Sequence, residues 1–491
     1  RTAPPTPPAP PTPPAAAAAA DFALLVGTKP VATTDDVFIC ATLDWWPSNK
    51  CDYGHCQWAG AGLLEAPLDD ERLLRAMRYL APLTLRVGGT SQDNVTYARF
   101  GGAAEQTDCP PFSPAPPQPS ARFSGGCLLP ARIDSLLSLG GDARARLVLS
   151  INAVVGRGNA SRGLRPEEDA WDPAQALALL RHVAARAAAS PAASPLWGVE
   201  YGNEPGHVPP SSYVFCELGS DGRARSEACA WQSARTAATL QADGLRALDD
   251  AVTAVFGPRR PPTGGGADEG GGGGGRRPLV LGPAWTSFSA PFANDYLRRA
   301  GAALDILTYH AYPLGPAYGA PGLLARMLGY RPTRAEATMR AARASVDAAA
   351  RAAGRARAAR VWIGESGGAY NSGHAELSGS LANSFWYAPF LGANARAGAA
   401  AVCRQTLIGG GYALLNRSTF APRADFYIAA LFGGLMGRVV LAAQLVAPAA
   451  GAAPPSASAP RVADGAPTPS AFAHCAKPVS YTHLTLPTKR I

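Results

Sequence analysis

Eight short apolar runs, each followed by a stretch able to hold a helix, constrain this chain more than any other feature of its sequence. They are Val37 to Leu43, Leu83 to Val87, Leu147 to Ala153, Leu196 to Tyr201, Leu279 to Ala284, Asp305 to Tyr309, Val361 to Gly364 and Ala400 to Leu407. Helical candidates between or after them include Asp70 to Tyr79, Pro173 to Ala189, Arg334 to Ala353 and Asp425 to Arg438. Strands alternating with helices predict βαβ units and a parallel sheet. Eight such units predict a closed (β/α)8 barrel over residues 35–440, with its active site at the carboxyl ends of the strands. The alternative is an open doubly wound sheet. Against it, no glycine-rich phosphate fingerprint follows the first run, and Gly88-Gly89 after the second is too short to be one.

The remaining segments read as appendages. Residues 1–20 are almost wholly Pro, Ala and Thr and have too little apolar surface for a core, which predicts a disordered arm. The Pro-rich stretch 109–120 and the Gly-rich stretch within 258–278 read as loop insertions, and 447–469 as a third. The net charge of +9 would favour polyanionic partners, but high Ala, Gly, Pro and Arg together also fit a compositional bias. No nucleic-acid module is recognisable, so nucleic acid is not an expected partner. No run of about 20 apolar residues occurs, so no membrane span is expected.

Nine cysteines, several of them in close pairs, favour an oxidising compartment. The sequons at Asn94, Asn159 and Asn416 agree with a secreted or vacuolar-lysosomal protein whose signal peptide is not in this chain. Cys51, His55 and Cys56 could be metal ligands, but no second ligand pair with zinc-like spacing accompanies them. A loop disulfide is the reading preferred, and no metal or other cofactor is expected.

Polar clusters fall just past the strand candidates: Asp44-Trp45-Trp46, Gly88-Gly89-Thr90, Asn203-Glu204, His310 with Tyr312, Gly364-Glu365 and Arg404-Gln405. That is where a barrel enzyme places its site. Glu204 after the fourth strand and Glu365 after the seventh can face each other across the barrel mouth. Two carboxyls so placed suit glycoside hydrolysis with retention, Glu204 as general acid/base and Glu365 as nucleophile. Asn203 suits a hydrogen bond to a sugar 2-hydroxyl. His310 and Tyr312 could tune Glu365 or pack as polar groups of the mouth. Trp45, Trp46 and Trp58 could stack on sugar or belong to the core.

At these residues the sequence resembles glycoside hydrolase family 79, the heparanase-like β-glucuronidases, and especially its plant branch. The resemblance runs from about Phe38 to Lys477 and is carried by Ala41 to Pro47 with Cys51 to Gly54, Leu85 to Thr90, Tyr201 to Glu204, Trp362 to Gly373, and Cys403 to Tyr412. It implies a barrel whose proton donor is Glu204 and nucleophile Glu365. It further implies that Asp44, Thr90, Asn203, Tyr312 and Gln405 line the sugar subsite, while Tyr412 and the backbone of Asn371 and Ser372 meet a uronate carboxylate. The expected substrate is a glucuronic-acid-containing glycan or glucuronide of the cell wall or extracellular space. The animal enzymes are glycine-rich where this chain has Asn371-Ser372, which argues against heparan sulfate. Family members also carry a β-sandwich after the barrel. Here it is expected to be mostly missing, with 441–477 as its remnant and 478–491 a non-native tail resembling translated adaptor sequence. The alternative to an active hydrolase is a catalytically impaired carbohydrate-binding or wall-associated barrel protein.

Overall fold

The computed structural model describes residues 23–97, 100, 112–114, 123–153, 170–189, 195–205, 234–259, 277–446 and 470–477. The 1–20 arm, most of the 109–120 stretch, the glycine run, 447–469, the 478–491 tail and Cys109, Cys216 and Cys229 lie outside them, as does the sequon at Asn159.

All eight expected strands form, and they close into one parallel barrel in chain order: Ile39–Leu43, Thr84–Val87, Arg146–Ile151, Leu196–Tyr201, Leu279–Trp285, Ile306–His310, Arg360–Ser366 and Ala401–Arg404. The eighth strand pairs with the first through Cys403 and Cys40, which are also disulfide-bonded. The strands are almost wholly buried because each is covered outside by helices and inside by its neighbours. The Glu71–Leu80 helix shows how those helices are specified. Asp70 caps it by accepting from the Arg72 N–H at 2.7 Å, and Leu73, Met77 and Leu80 recur on the buried face.

The barrel interior is filled in two chemically different levels. At the floor a separate apolar cluster joins Cys40, Val148, Trp197, Leu281, Ile306, Trp362 and Cys403. Trp197 and Trp362 stack there at 5.2 Å. Arg146 and Arg360 lie over the Trp197 ring and are held by Asp36 and Asp35. Above this plug the interior turns polar, with Thr42, Arg86, Ser150, Glu200 and Thr308 all buried. A packed floor and a polar upper level direct the chemical groups to the carboxyl ends of the strands.

Two features differ from the sequence reading. The candidate helix Asp425 to Arg438 stops at Leu435, and Met436–Val446 continues as a strand. That strand pairs antiparallel with Ala23–Thr33 on one side and Ala473–Ala476 on the other. The local sequence pattern does not mark 23–33 as a strand, since its pairing partner lies more than 400 residues away in sequence. The Cys51–Cys56 disulfide is present, which accounts for both thiols of the cluster considered as metal ligands.

Replacing Trp197 by alanine removes half of the floor stack and leaves a cavity that the rigid barrel cannot collapse. We expect Trp197→Ala to cost about 3–5 kcal/mol, read as a lower urea midpoint at unchanged slope; an unchanged midpoint would show that the stack does not close the barrel.

Candidate active site

A barrel interior offers no water to solvate a charge, so the placement of Arg86 in the second strand decides much of what surrounds it. Its Nε donates to Glu200 at 2.5 Å, one terminal nitrogen to Glu365 Oε2 at 3.0 Å and the other to Asn203 Oδ1 at 2.9 Å. Ser150 Oγ donates to the same Glu200 oxygen at 2.7 Å. The two carboxylates hold the guanidinium charged, well above its ordinary range, although burial opposes it. The three bonds tie the second, fourth and seventh strands together at the level of the mouth.

Glu365 lies one residue before the end of the seventh strand and is buried. Its Oε2 takes the Arg86 bond and its Oε1 accepts from the Tyr312 hydroxyl. Burial, and then the Glu365 charge, push the Tyr312 phenol well above its usual range, so it remains a donor. Glu204 lies beyond the fourth strand with φ of 46°, and its backbone N–H donates to Ala284 O at 2.9 Å. Its Oε1 is 2.8 Å from His310 Nδ1, whereas His310 stands 3.7 Å from Glu365 Oε2. His310 was expected to tune Glu365 or merely pack; its hydrogen-bond partner is Glu204, and the tuning group on Glu365 is Tyr312. Oxygens of Glu204 and Glu365 and a nitrogen of His310 lie within 4.8 Å of one another. A cation bound there would stand beside Arg86 and compete with the donors already on both Glu365 oxygens. The cluster is therefore better suited to sharing protons than to holding an ion.

The other expected residues gather around this pair. Asp44 is buried, with one oxygen on the Trp45 N–H at 2.6 Å and the other on Gln405 Nε2 at 2.7 Å. Gln405 Oε1 in turn accepts from Thr42. Burial first, and the Glu365 charge second, push the Asp44 carboxyl up to about 7. Gly89 precedes Thr90 with a φ of 153°, and a Cβ there would stand 2.2 Å from Asp44 Oδ1. The Tyr412 ring packs against Gly367, Gly373 and Gly410 and meets Trp58 edge-on at 6.3 Å. Burial, followed by Asp44 and Glu365, keeps the Tyr412 phenol protonated.

Asn371 and Ser372 are both left-handed, at φ of 63° and 62°. Ser372 Oγ accepts from Trp58 Nε1 at 2.8 Å and donates to Asp52, while Asn371 Nδ2 donates to Tyr53. Trp45 and Trp58 are core residues, 1% and 0% exposed. The sequence reading did not single out Arg86 or Glu200. The signal was available: a charged residue inside an otherwise apolar strand, in Leu85-Arg86-Val87 and Val199-Glu200-Tyr201.

A closed parallel barrel with two acidic side chains, an imidazole and a phenol converging at the carboxyl ends of its strands is the arrangement of a barrel glycoside hydrolase. Residues 21–207 and 273–392 match the glycosyl hydrolase family 79 N-terminal domain, and the chain belongs to that family. Heparanase-like protein 3 of Arabidopsis thaliana is 32% identical over 418 residues, covering 84% of this chain and 67% of that protein. Baicalin-β-D-glucuronidase of Scutellaria baicalensis is 27% identical over 434 residues, covering 85% and 71%. Among solved structures, AbfB, a family 51 α-L-arabinofuranosidase from Bifidobacterium longum, superposes with a TM-score of 0.53 at 14% identity over 88% of this chain and 79% of that one. That likeness is one of fold.

The raised Asp44 carboxyl gives a signed pH dependence. Its folded-state value of about 7 lies above the ordinary 3.8, so the folded protein binds the proton more tightly between those values and stability falls as pH rises through them. We expect Asp44→Asn to flatten this part of the curve of Tm against pH. An unchanged slope would mean that Asp44 is not the group lost.

Proposed function

We propose that this protein hydrolyses β-glucuronides with retention of configuration, Glu204 serving as general acid/base and Glu365 as nucleophile. The observation that carries the reading is that an oxygen of each carboxyl comes within 4.8 Å of the other across the mouth, in two unlike environments. Retaining enzymes need about 5–5.5 Å between carboxyl groups, too little for an intervening water. Glu365 is buried and receives only donors, from Arg86 and Tyr312, as suits an ionised nucleophile. Glu204 is more exposed and shares its proton position with His310, as suits a group that gives a proton to the leaving oxygen and later takes one from water.

Glucuronide as the glycone is supported by the family membership and by the neighbourhood of Tyr412. Its phenol stays protonated beside the left-handed Asn371-Ser372 turn, so it can donate to an anionic carboxylate. A hydroxymethyl group in that place would leave buried donors poorly paired, at about 1–3 kcal/mol each. Asp44, Gln405, Thr90 and Asn203 are then the groups that orient the sugar hydroxyls. The Cys40–Cys403 and Cys51–Cys56 disulfides support a secreted or vacuolar-lysosomal location.

Two measurements test this. Glu365→Gln should abolish turnover, and Glu204→Gln should slow aryl glucuronides with poor leaving groups by about a hundredfold or more while sparing strongly activated ones; equal losses on both would remove Glu204 from the acid role. Specificity constants for matched aryl glucuronide and aryl glucoside should differ by at least about tenfold, equivalent to about 1.4 kcal/mol, and Tyr412→Phe should narrow the gap by weakening the glucuronide reaction. Equal constants in the unaltered protein would end the uronate reading.

A further inference from the structure

Three successive residues of the loop after the seventh strand, Asn371, Ser372 and Gly373, take left-handed backbone at φ of 63°, 62° and 70°. Only glycine adopts this conformation readily, so a run of three needs support from outside. The support comes from the segment 51–58, whose first part is closed by the Cys51–Cys56 disulfide. Tyr53 Oη accepts from Asn371 Nδ2 at 3.2 Å, and Asp52 accepts from the Ser372 hydroxyl. Trp58 Nε1 donates to Ser372 Oγ at 2.8 Å, and Gln57 Nε2 donates to Gly373 O at 3.2 Å. On its other side the turn packs on Tyr412, where a Cβ on Gly373 would stand 2.6 Å from Tyr412 Cδ1. The turn is thus held between Tyr412 and the disulfide-closed segment, with each of its three residues bonded to that segment.

Asp52 is an awkward residue in that place. If the turn and Tyr412 receive a sugar carboxylate, an acidic side chain bonded to Ser372 sets a second negative charge close by, and like charges in a buried site oppose each other. Lys50 answers this. Its Nζ bonds Asp52 Oδ1 while Ser372 uses Oδ2, and both residues of the ion pair are buried. The ammonium also stands 4.7 Å from the centroid of the Trp46 ring, which holds it from another side. The reach of Asp52 extends to the phenol: burial, Asp44 and Glu365 keep Tyr412 well above its usual range, and the Asp52 charge adds to them. A buried ion pair often contributes no more stability than apolar residues of the same volume, so charge balance at the turn is what the lysine adds. We propose that Lys50 is a specificity-determining residue: it cancels the charge of Asp52, so that Asp52 can brace the left-handed turn without repelling a carboxylate bound there. The inference rests on the glucuronide reading. Lys50 acts through Asp52 and Ser372, as a positioning residue and not a catalytic one.

The test measures kcat and KM for a matched aryl glucuronide and aryl glucoside, at neutral pH, in the unaltered protein, in Lys50→Gln and in the double variant Lys50→Gln/Asp52→Asn. Glutamine keeps a donor for Asp52 and removes only the charge. The double variant keeps a hydrogen-bonding pair and an acceptor for Ser372 with neither charge. We expect Lys50→Gln to lower kcat/KM for the glucuronide by about tenfold or more, chiefly through KM because the repulsion acts on bound substrate and transition state alike, and for the glucoside by less than about twofold. The double variant should recover most of the preference for the glucuronide. Equal losses on both glycosides in Lys50→Gln would show a purely structural pair and overturn the proposal, as would a double variant whose preference is no better than that of the single one. If Lys50→Gln does not fold, the double variant decides: intact preference supports charge cancellation, and lost preference overturns it. Equal constants for the two glycosides in the unaltered protein would mean that the uronate reading itself has failed, and the role of Lys50 falls with it.

Discussion

Arg86 has no access to solvent, so each of its polar hydrogens must be met by an oxygen of the barrel. Three of the five are met by Glu200, Glu365 and Asn203, which lie on or just beyond two other strands. Taking one guanidinium and two carboxylates out of water is costly, and Coulomb attraction offsets that only when geometry is good and the remaining lone pairs are occupied. Ser150 on Glu200 and Tyr312 on Glu365 supply part of that occupancy. Removing Arg86 would leave two buried carboxylates without their counter-charge, and the same bonds fix where the Glu365 carboxylate points.

The same constraint explains why the two acids differ. Glu365 lies inside the ion network and is surrounded by donors, whereas Glu204 stands one step outside it, linked through His310 and partly exposed. Left-handed backbone at Glu204 and Ala284, joined by the Glu204 N–H bond to Ala284 O, turns the chain sharply enough to bring this side chain back over the mouth. Asn371 and Ser372 adopt the same uncommon conformation beside Tyr412. Residues held this way persist only where their surroundings over-determine them.

Much of this was legible in the chain. The eight strands could be read because parallel barrel strands are buried on both faces and appear as short, largely apolar runs. The mouth could be read because polar residues recur just after those runs, as in Asn203-Glu204 and Gly364-Glu365. Arg86 and Glu200 leave a signal, a charge within an apolar run, but its meaning depends on closure of the barrel, which places their partners opposite. The choice of His310 for Glu204 over Glu365 depends on side-chain torsions and on a bend at φ of 46°, neither of which leaves a periodic signal. The strand Ala23–Thr33 contains Pro30 and pairs across almost the whole chain, with a register shift at that proline, so local pattern could not find it.

The central claim is that Glu365 forms a covalent bond to the sugar. Incubation with an activated 2-deoxy-2-fluoro-β-glucuronide slows the breakdown of such an intermediate more than its formation is compromised, so the adduct accumulates and its site can be read by peptide mass spectrometry. The account predicts one added fluoro-glucuronosyl group, on Glu365, with parallel loss of activity. Labelling of another residue, or release of an inverted sugar from the unfluorinated substrate with no adduct formed, would contradict it.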